Sequence, residues 1–135
     1  MADAINLQEY VDARINKLYC KDAKKIIWKE KLEYQAYFLA CAFDSDITII
    51  IYIARKYQIE IYKTDCNGNN AFIYACYYNP NLNIIKILIK QFGMDFKQCN
   101  NGGESAFFQA CLNNSNKLII KYFIKDLLVD INQCK

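Results

Sequence analysis

The 135-residue chain contains no histidine. This removes the side chain that titrates near neutral pH, which is also the usual general base and the commonest metal ligand, so hydrolytic and metal-dependent mechanisms lose most of their customary residues. Glycine occurs four times and proline once, and no glycine-rich loop follows a strand to cradle a phosphate. Arginine is almost missing too, standing only at positions 14 and 55, and lysine supplies the remaining positive charge. The formal net charge of +3 is too small to imply a polyanionic partner. No long apolar run exists. The longest, Ile47 to Ile53, is broken by Thr48 and falls far short of the ~20 residues that cross a bilayer. The opening residues, MADAINLQEYVDAR, place acids and polar groups where a secretory signal needs a basic start and an apolar block. A protein made and kept in the cytosol, without a membrane, is the expectation.

What the chain does have is apolar content, at 54% of its residues, which argues against disorder and fits one cooperative domain with a real core. Ile, Asn, Lys, Tyr and Phe dominate the rest of the reading. Their codons are rich in A and T, so an AT-rich genome is expected and each Asn or Lys carries little meaning alone.

Position carries more. The stretches YQAYFLAC, NNAFIYAC and ESAFFQAC end at Cys41, Cys76 and Cys111, at equal 35-residue intervals. Downstream, Ile49-Ile50, Ile84-Ile85 and Ile119-Ile120 share one phase, as do Ile53, Leu88 and Phe123, then Arg55, Lys90 and Lys125. Glu60, Asp95 and Asp130 follow in step. An internal repeat is therefore present, and it governs the fold.

One unit, residues 65 to 99, shows what each copy builds. Asp65-Cys66-Asn67-Gly68 is a turn signature, because Asn-Gly readily takes positive φ. A short helix is predicted from about Ala71 to Tyr78, with Phe72, Ala75 and Cys76 on one face. Asn79-Pro80-Asn81 stops it. A second helix runs from about Leu82 to Phe92, with Ile84, Ile85, Leu88 and Ile89 inward and Lys86 and Lys90 outward, and Gly93 ends it.

This chain resembles the ankyrin-repeat family, whose unit of about 33 residues is a β-turn plus two helices with a T-P-L-H-x-A signature. The signature here reads Asn70-Ala71-Phe72-Ile73-Tyr74-Ala75 and Ser105-Ala106-Phe107-Phe108-Gln109-Ala110, with Gln35-Ala36-Tyr37-Phe38-Leu39-Ala40 as the weakest copy. Asp95-Phe96-Lys97 and Asp130-Ile131-Asn132 resemble the D-V-N ending of the family unit. The signature histidine is replaced by Phe38, Ile73 and Phe108, and each unit is about two residues longer than the family's. The composition is closer to the divergent ankyrin proteins of protists, large DNA viruses or their satellites. The implied fold is all-α: a solenoid of three 35-residue helix-turn-helix repeats at 31–64, 65–99 and 100–135, behind a helical N-terminal cap at 1–30. In the cap, Ile5, Tyr10 or Val11, Ile15, Leu18 and Tyr19 form one apolar stripe, and Ile26, Ile27 and Trp28 begin another. At the other end, Lys135 stands where a further turn would start. That leaves three options: Ile120, Phe123, Ile124 and Leu127 are partly exposed, the chain dimerises there, or it is a fragment of something longer.

Seven cysteines invite a zinc reading, but the spacing is unlike paired C-x-x-C and histidine is missing. Cys41, Cys76 and Cys111 follow the signature alanine, where a small apolar residue must fit between repeats, so core packing is expected of all three. Cys66, Cys99 and Cys134 fall on or beside turns and are expected to stay reduced. Neither Asp44 with Asp46 nor Glu30 with Glu33 has surroundings that would make it an acid–base pair. No catalytic residue, cofactor or metal is expected.

The resemblance implies a concave surface built from turn tips and first helices, which the family uses for partner proteins. Carried over by position, it includes Asn67, Asn69, Tyr77 and Tyr78 in the second copy, Glu104, Leu112 and Asn113 in the third, and Phe43 in the first. Tyrosine offers large contact area at low entropic cost. The expected function is a non-enzymatic module that binds an unknown protein there; in a viral source the partner would be a host protein or one of a co-infecting virus, met in the host cytoplasm. Two alternatives remain at this point: nucleic-acid association through a stripe of Lys86, Lys90, Lys121 and Lys125, which Asp95, Asp126 and Asp130 dilute, and a homodimer through the uncapped last helix.

Overall fold

The computed structural model of the chain describes residues 5–18 and 21–130. Tyr19, Ile131, Asn132, Cys134 and Lys135, each used above, lie outside them. Among the described residues the helices are α1 Leu7–Ile15, α2 Lys21–Trp28, α3 Leu32–Phe43, α4 Ile47–Lys56, α5 Ala71–Tyr78, α6 Leu82–Lys90, α7 Ala106–Asn113 and α8 Lys117–Lys125. Their only strand-like pairing is an isolated antiparallel bridge between Cys99 and Ser105. The fold is all-α.

Six of the described helices, α1 and α4 through α8, begin where a short polar side chain takes an orphan backbone N–H. Asn70 accepts from Ile73 N at 2.8 Å and Ser105 from Phe108 N at 3.1 Å, which starts α5 and α7 at the same phase. Asp46, Asn81 and Asn116, again in phase, accept from Thr48, Asn83 and Leu118 and start the three second helices. Gln35 occupies the matching position in the first copy but donates instead to the Glu30 carbonyl, and α3 begins earlier, at Leu32. The second helices end on a left-handed residue each time: Gln58 at φ 51°, Gly93 at φ 70° and Leu128 at φ 53°. Glycine takes that conformation without strain; Gln58 and Leu128 hold it because the stack dictates the turn. The turn tips also follow the reading, with Gly68 at φ 79° and Gly103 at φ 76°. A Cβ on Gly68 would overlap Asn101 of the next turn.

Helices α3, α5 and α7 pack side by side as an inner layer, and α4, α6 and α8 back them as an outer layer with slighter mutual contact. Close approach of the inner helices rests on in-phase small residues: Ala36, Ala71 and Ala106, then Ala40, Ala75 and Ala110, are all fully buried. One side chain per repeat then ties it to its predecessor. Asn79 Nδ2 donates to the carbonyls of Cys41 and Asp44 at 3.1 and 2.9 Å, and Asn114 Nδ2 donates to those of Cys76 and Asn79 at 2.9 and 2.8 Å. The first copy has Asp44 at this phase, which cannot donate, so α1 supplies the donors. Arg14 Nε and Nη2 both reach Asp44 Oδ1 at 3.1 Å, and the Tyr10 hydroxyl donates to Asp44 Oδ2. The cap is docked by inverting the hydrogen bonds of the stack.

Several expectations need correction. The Ala71–Cys76 segment is buried all round, not on one face, because α3 and α7 flank it on both sides. Cys41 and Cys76 are buried as expected, and burial pushes both thiols up. Cys111 is exposed; among the described helices α7 packs mainly against α5 and α8, whereas α5 lies between α3 and α7. Cys99 is disulfide-bonded rather than a free thiol. Trp28 does not join an inward stripe; it is exposed while Ile27 is fully buried. Phe123 is not partly exposed, because it is wedged between the rings of Phe72 and Phe107 at 6.1 and 5.6 Å. Ile120 and Leu127 are half-buried, and Ile124 is exposed.

Candidate protein-binding surface

The turns 65–69 and 100–104 stand at one edge of the inner layer and are locked by their own polar side chains. Asp65, though a carboxylate, is buried: Oδ1 accepts from Asn67 N and Asn69 N at 2.9 and 3.0 Å, and Oδ2 accepts from the Tyr74 hydroxyl at 2.5 Å. Burial, and then the neighbouring Asp65 carboxylate, push the Tyr74 hydroxyl up. Asn100 repeats the device one copy later, accepting from Gly102 N and Glu104 N, both at 3.0 Å. The two turns are then stitched together. Asn101 N donates to Asn67 O at 2.9 Å and Asn100 Nδ2 to Asn69 Oδ1 at 2.9 Å. Glu104 Oε1 extends the network, accepting from Asn100 Nδ2 and Gln109 Nε2 at 3.1 Å each. Turn tips held this way present a fixed surface.

The aromatic ends of the inner helices lie along that surface. Phe43 and Tyr78 hold the same repeat phase and their ring centroids are 5.2 Å apart; Tyr77 meets Tyr78 edge-on at 4.5 Å. Asn113, next in phase, donates from Nδ2 to the Tyr77 carbonyl at 2.9 Å. Leu112 is exposed. All eight sequence-selected residues therefore sit on the turn and inner-helix side, but they do not form one site. Asn67, Asn69, Tyr77 and Tyr78 line a common cleft of about 200 Å³. Phe43, Glu104, Leu112 and Asn113 lie outside its lining.

The missing wall comes from an unexpected element. Asp22, Ala23 and Ile26 of α2 line the same cleft as Tyr77 and Tyr78, together with Ile73, Tyr74 and Gln109. While α1 caps the stack, α2 follows the inner layer. It is secured by buried Ile27, by the Gln35–Glu30 hydrogen bond at 2.9 Å and by an ion pair between Lys63 and Glu30 at 3.5 Å. Because residues 1–30 carry no repeat phase, sequence reasoning had no register from which to place α2.

A family model described as ankyrin repeats in three copies matches residues 35–133. The chain belongs to the ankyrin-repeat family. Among solved structures, this ankyrin-repeat chain is similar to a chain in the crystal structure of the yeast ribosomal protein Rps3 in complex with its chaperone Yar1. The TM-score is 0.60 and the identity 20%, over 96% of this chain and 94% of that chain. No curated protein matches the chain. On the opposite side of the ankyrin stack, Lys90, Lys121 and Lys125 are exposed, whereas Lys86 is half-buried with Nζ 5.3 Å from the Tyr122 ring centroid. Among the described residues no helix is long and apolar enough to cross a membrane.

Proposed function

We propose that the chain is a non-enzymatic protein-interaction module whose partner contacts the turn and inner-helix face. Tyr77 and Tyr78 form its centre, and Phe43, Leu112, Asn113, Asn67, Asn69 and Glu104 surround them. The observation that carries the reading is the conjunction of hydrogen-bonded turn tips with half-buried tyrosines in a walled cleft. Rigid aromatic contact area beside fixed polar groups is what a protein partner rewards. Membership of a family of interaction modules supports it, as does a structural neighbour taken from a complex of a ribosomal protein with its chaperone. The A- and T-rich coding bias supports a narrower form, a viral protein that engages a host or co-infecting virus protein.

Affinity purification from the native cell tests the proposal. The double variant Tyr77→Ala, Tyr78→Ala is expected to keep its helical circular dichroism and to recover the partner at least about tenfold less well, the scale of a lost hot spot. Recovery at the level of the unaltered chain would move the binding surface elsewhere. Recovery of further copies of this chain alone would move it to exposed Leu118 and Ile124 on α8.

A further inference from the structure

The cleft between α2 and α5 has a chemistry of its own, and it narrows the class of partner. Its volume of about 200 Å³ lies below the ~300–1,000 Å³ of sites that enclose whole small molecules, so it suits one long side chain. The lining is divided. Ala23, Ile26 and Ile73 offer apolar surface to a hydrocarbon stem, and Tyr74, Tyr77 and Tyr78 offer aromatic rings. Polar groups gather among them: Asp22 is the one charged residue among the described lining residues, and Asn67, Asn69 and Gln109 bring amide groups. Among the described residues no lysine or arginine lines the cleft. Exposed Arg55, Lys56, Lys90, Lys121 and Lys125 lie on second helices of the outer layer or at their ends, and exposed Lys25, on α2 itself, is outside the described lining.

An aliphatic stem ending in a flat cation with several donors meets each of these demands. Its stem packs on Ala23 and Ile26, its plane stacks on tyrosine, and its N–H groups reach a carboxylate and amide oxygens. Lysine matches the charge but not the plane. A carboxylate or phosphate would face Asp22 with no cation among the described lining residues to receive it. The chain's own Arg14 is not the occupant, because it is committed to Asp44. We infer that the cleft between α2 and α5 receives an arginine side chain of the partner protein, seated between Asp22 and the tyrosines. This inference rests on the proposed partner-binding face and names what is recognised there.

Nuclear magnetic resonance titration of the 135-residue chain with blocked tripeptides, acetyl-Gly-Xaa-Gly-amide, tests it without the partner. The arginine peptide is expected to bind saturably in the millimolar range, shifting the amides of Asn67, Asn69 and Tyr77. Lysine should bind more weakly, and glutamate should give no shift at these positions. Asp22→Asn, an exposed change that leaves the fold intact, should weaken the arginine peptide by about fivefold, the scale of an exposed ion pair or cation–π contact. Shifts from arginine that map away from the cleft, equal shifts from the glutamate peptide, or an unchanged affinity in Asp22→Asn would each overturn the inference. Those results leave the partner-binding reading intact if Tyr77→Ala with Tyr78→Ala still abolishes capture, so the two fail separately.

Discussion

Asn79→Ala is expected to lower the unfolding free energy by about 3 kcal/mol, since it strands two buried carbonyls and one N–H at about 1 kcal/mol or more apiece. Asn79 is 1% exposed. Its Nδ2 serves the Cys41 and Asp44 carbonyls of the preceding repeat, and its Oδ1 accepts from Asn81 N at 3.0 Å. The loss is a sizeable part of the ~5–15 kcal/mol that domains of this size possess. Asn79→Asp should be worse, because it keeps the shape while turning a donor to two carbonyls into an acceptor facing them. Urea unfolding checks the order: the midpoint should fall from the unaltered chain to Ala to Asp, with little change in slope. An Asp variant as stable as the unaltered chain would show that the inter-repeat ties contribute nothing.

The second large effect separates the ends of the stack. Phe38, Ile73 and Phe108 hold one position of the repeat, yet Phe38 is fully buried while Phe108 is only half-buried. The Phe38 ring lies 5.3 Å from Tyr74, 5.9 Å from Tyr37 and 6.5 Å from Tyr34. Phe38→Ala therefore removes ring contacts to two repeats and leaves a cavity, at a cost of about 4 kcal/mol. Phe108→Ala gives up only partial burial beside an open end, at about 1 kcal/mol. Thermal and urea unfolding of the two variants should differ by that margin. Equal losses would mean that position within the solenoid does not govern burial, against the stacking described above.

The repeat made most of this architecture legible. Equal spacing fixed the register, so the turns at Gly68 and Gly103, the limits of α5 and the start of α6 could be read from local chemistry. The same register holds a signal that was not used: Asp44, Asn79 and Asn114 recur in phase, and so do Asp46, Asn81 and Asn116. In an asparagine-rich chain these look like bias; only their partners distinguish ties and caps from solvated amides. Three further things lay beyond the sequence. Cys111 shares its phase with Cys76 yet is exposed where Cys76 is buried, a difference on which periodicity is silent. Gln58 and Leu128 take a conformation that only Gly93 announces. The cleft was half visible, as Asn67, Asn69, Tyr77 and Tyr78 follow from family position, but Asp22, Ala23 and Ile26 come from a helix outside the repeat. Tertiary packing places that helix, and no local rule does.

The central claim, that a partner protein covers the turn and inner-helix face, is tested most directly by hydrogen exchange on the captured complex. Amides of the turn tips at 66–69 and 101–104, and of the helix ends at Tyr77, Tyr78, Leu112 and Asn113, are predicted to exchange more slowly when the partner is bound. Those of α6 and α8 should be unchanged. Protection confined to the outer helices, with the turn tips exchanging as in the free chain, would contradict the account.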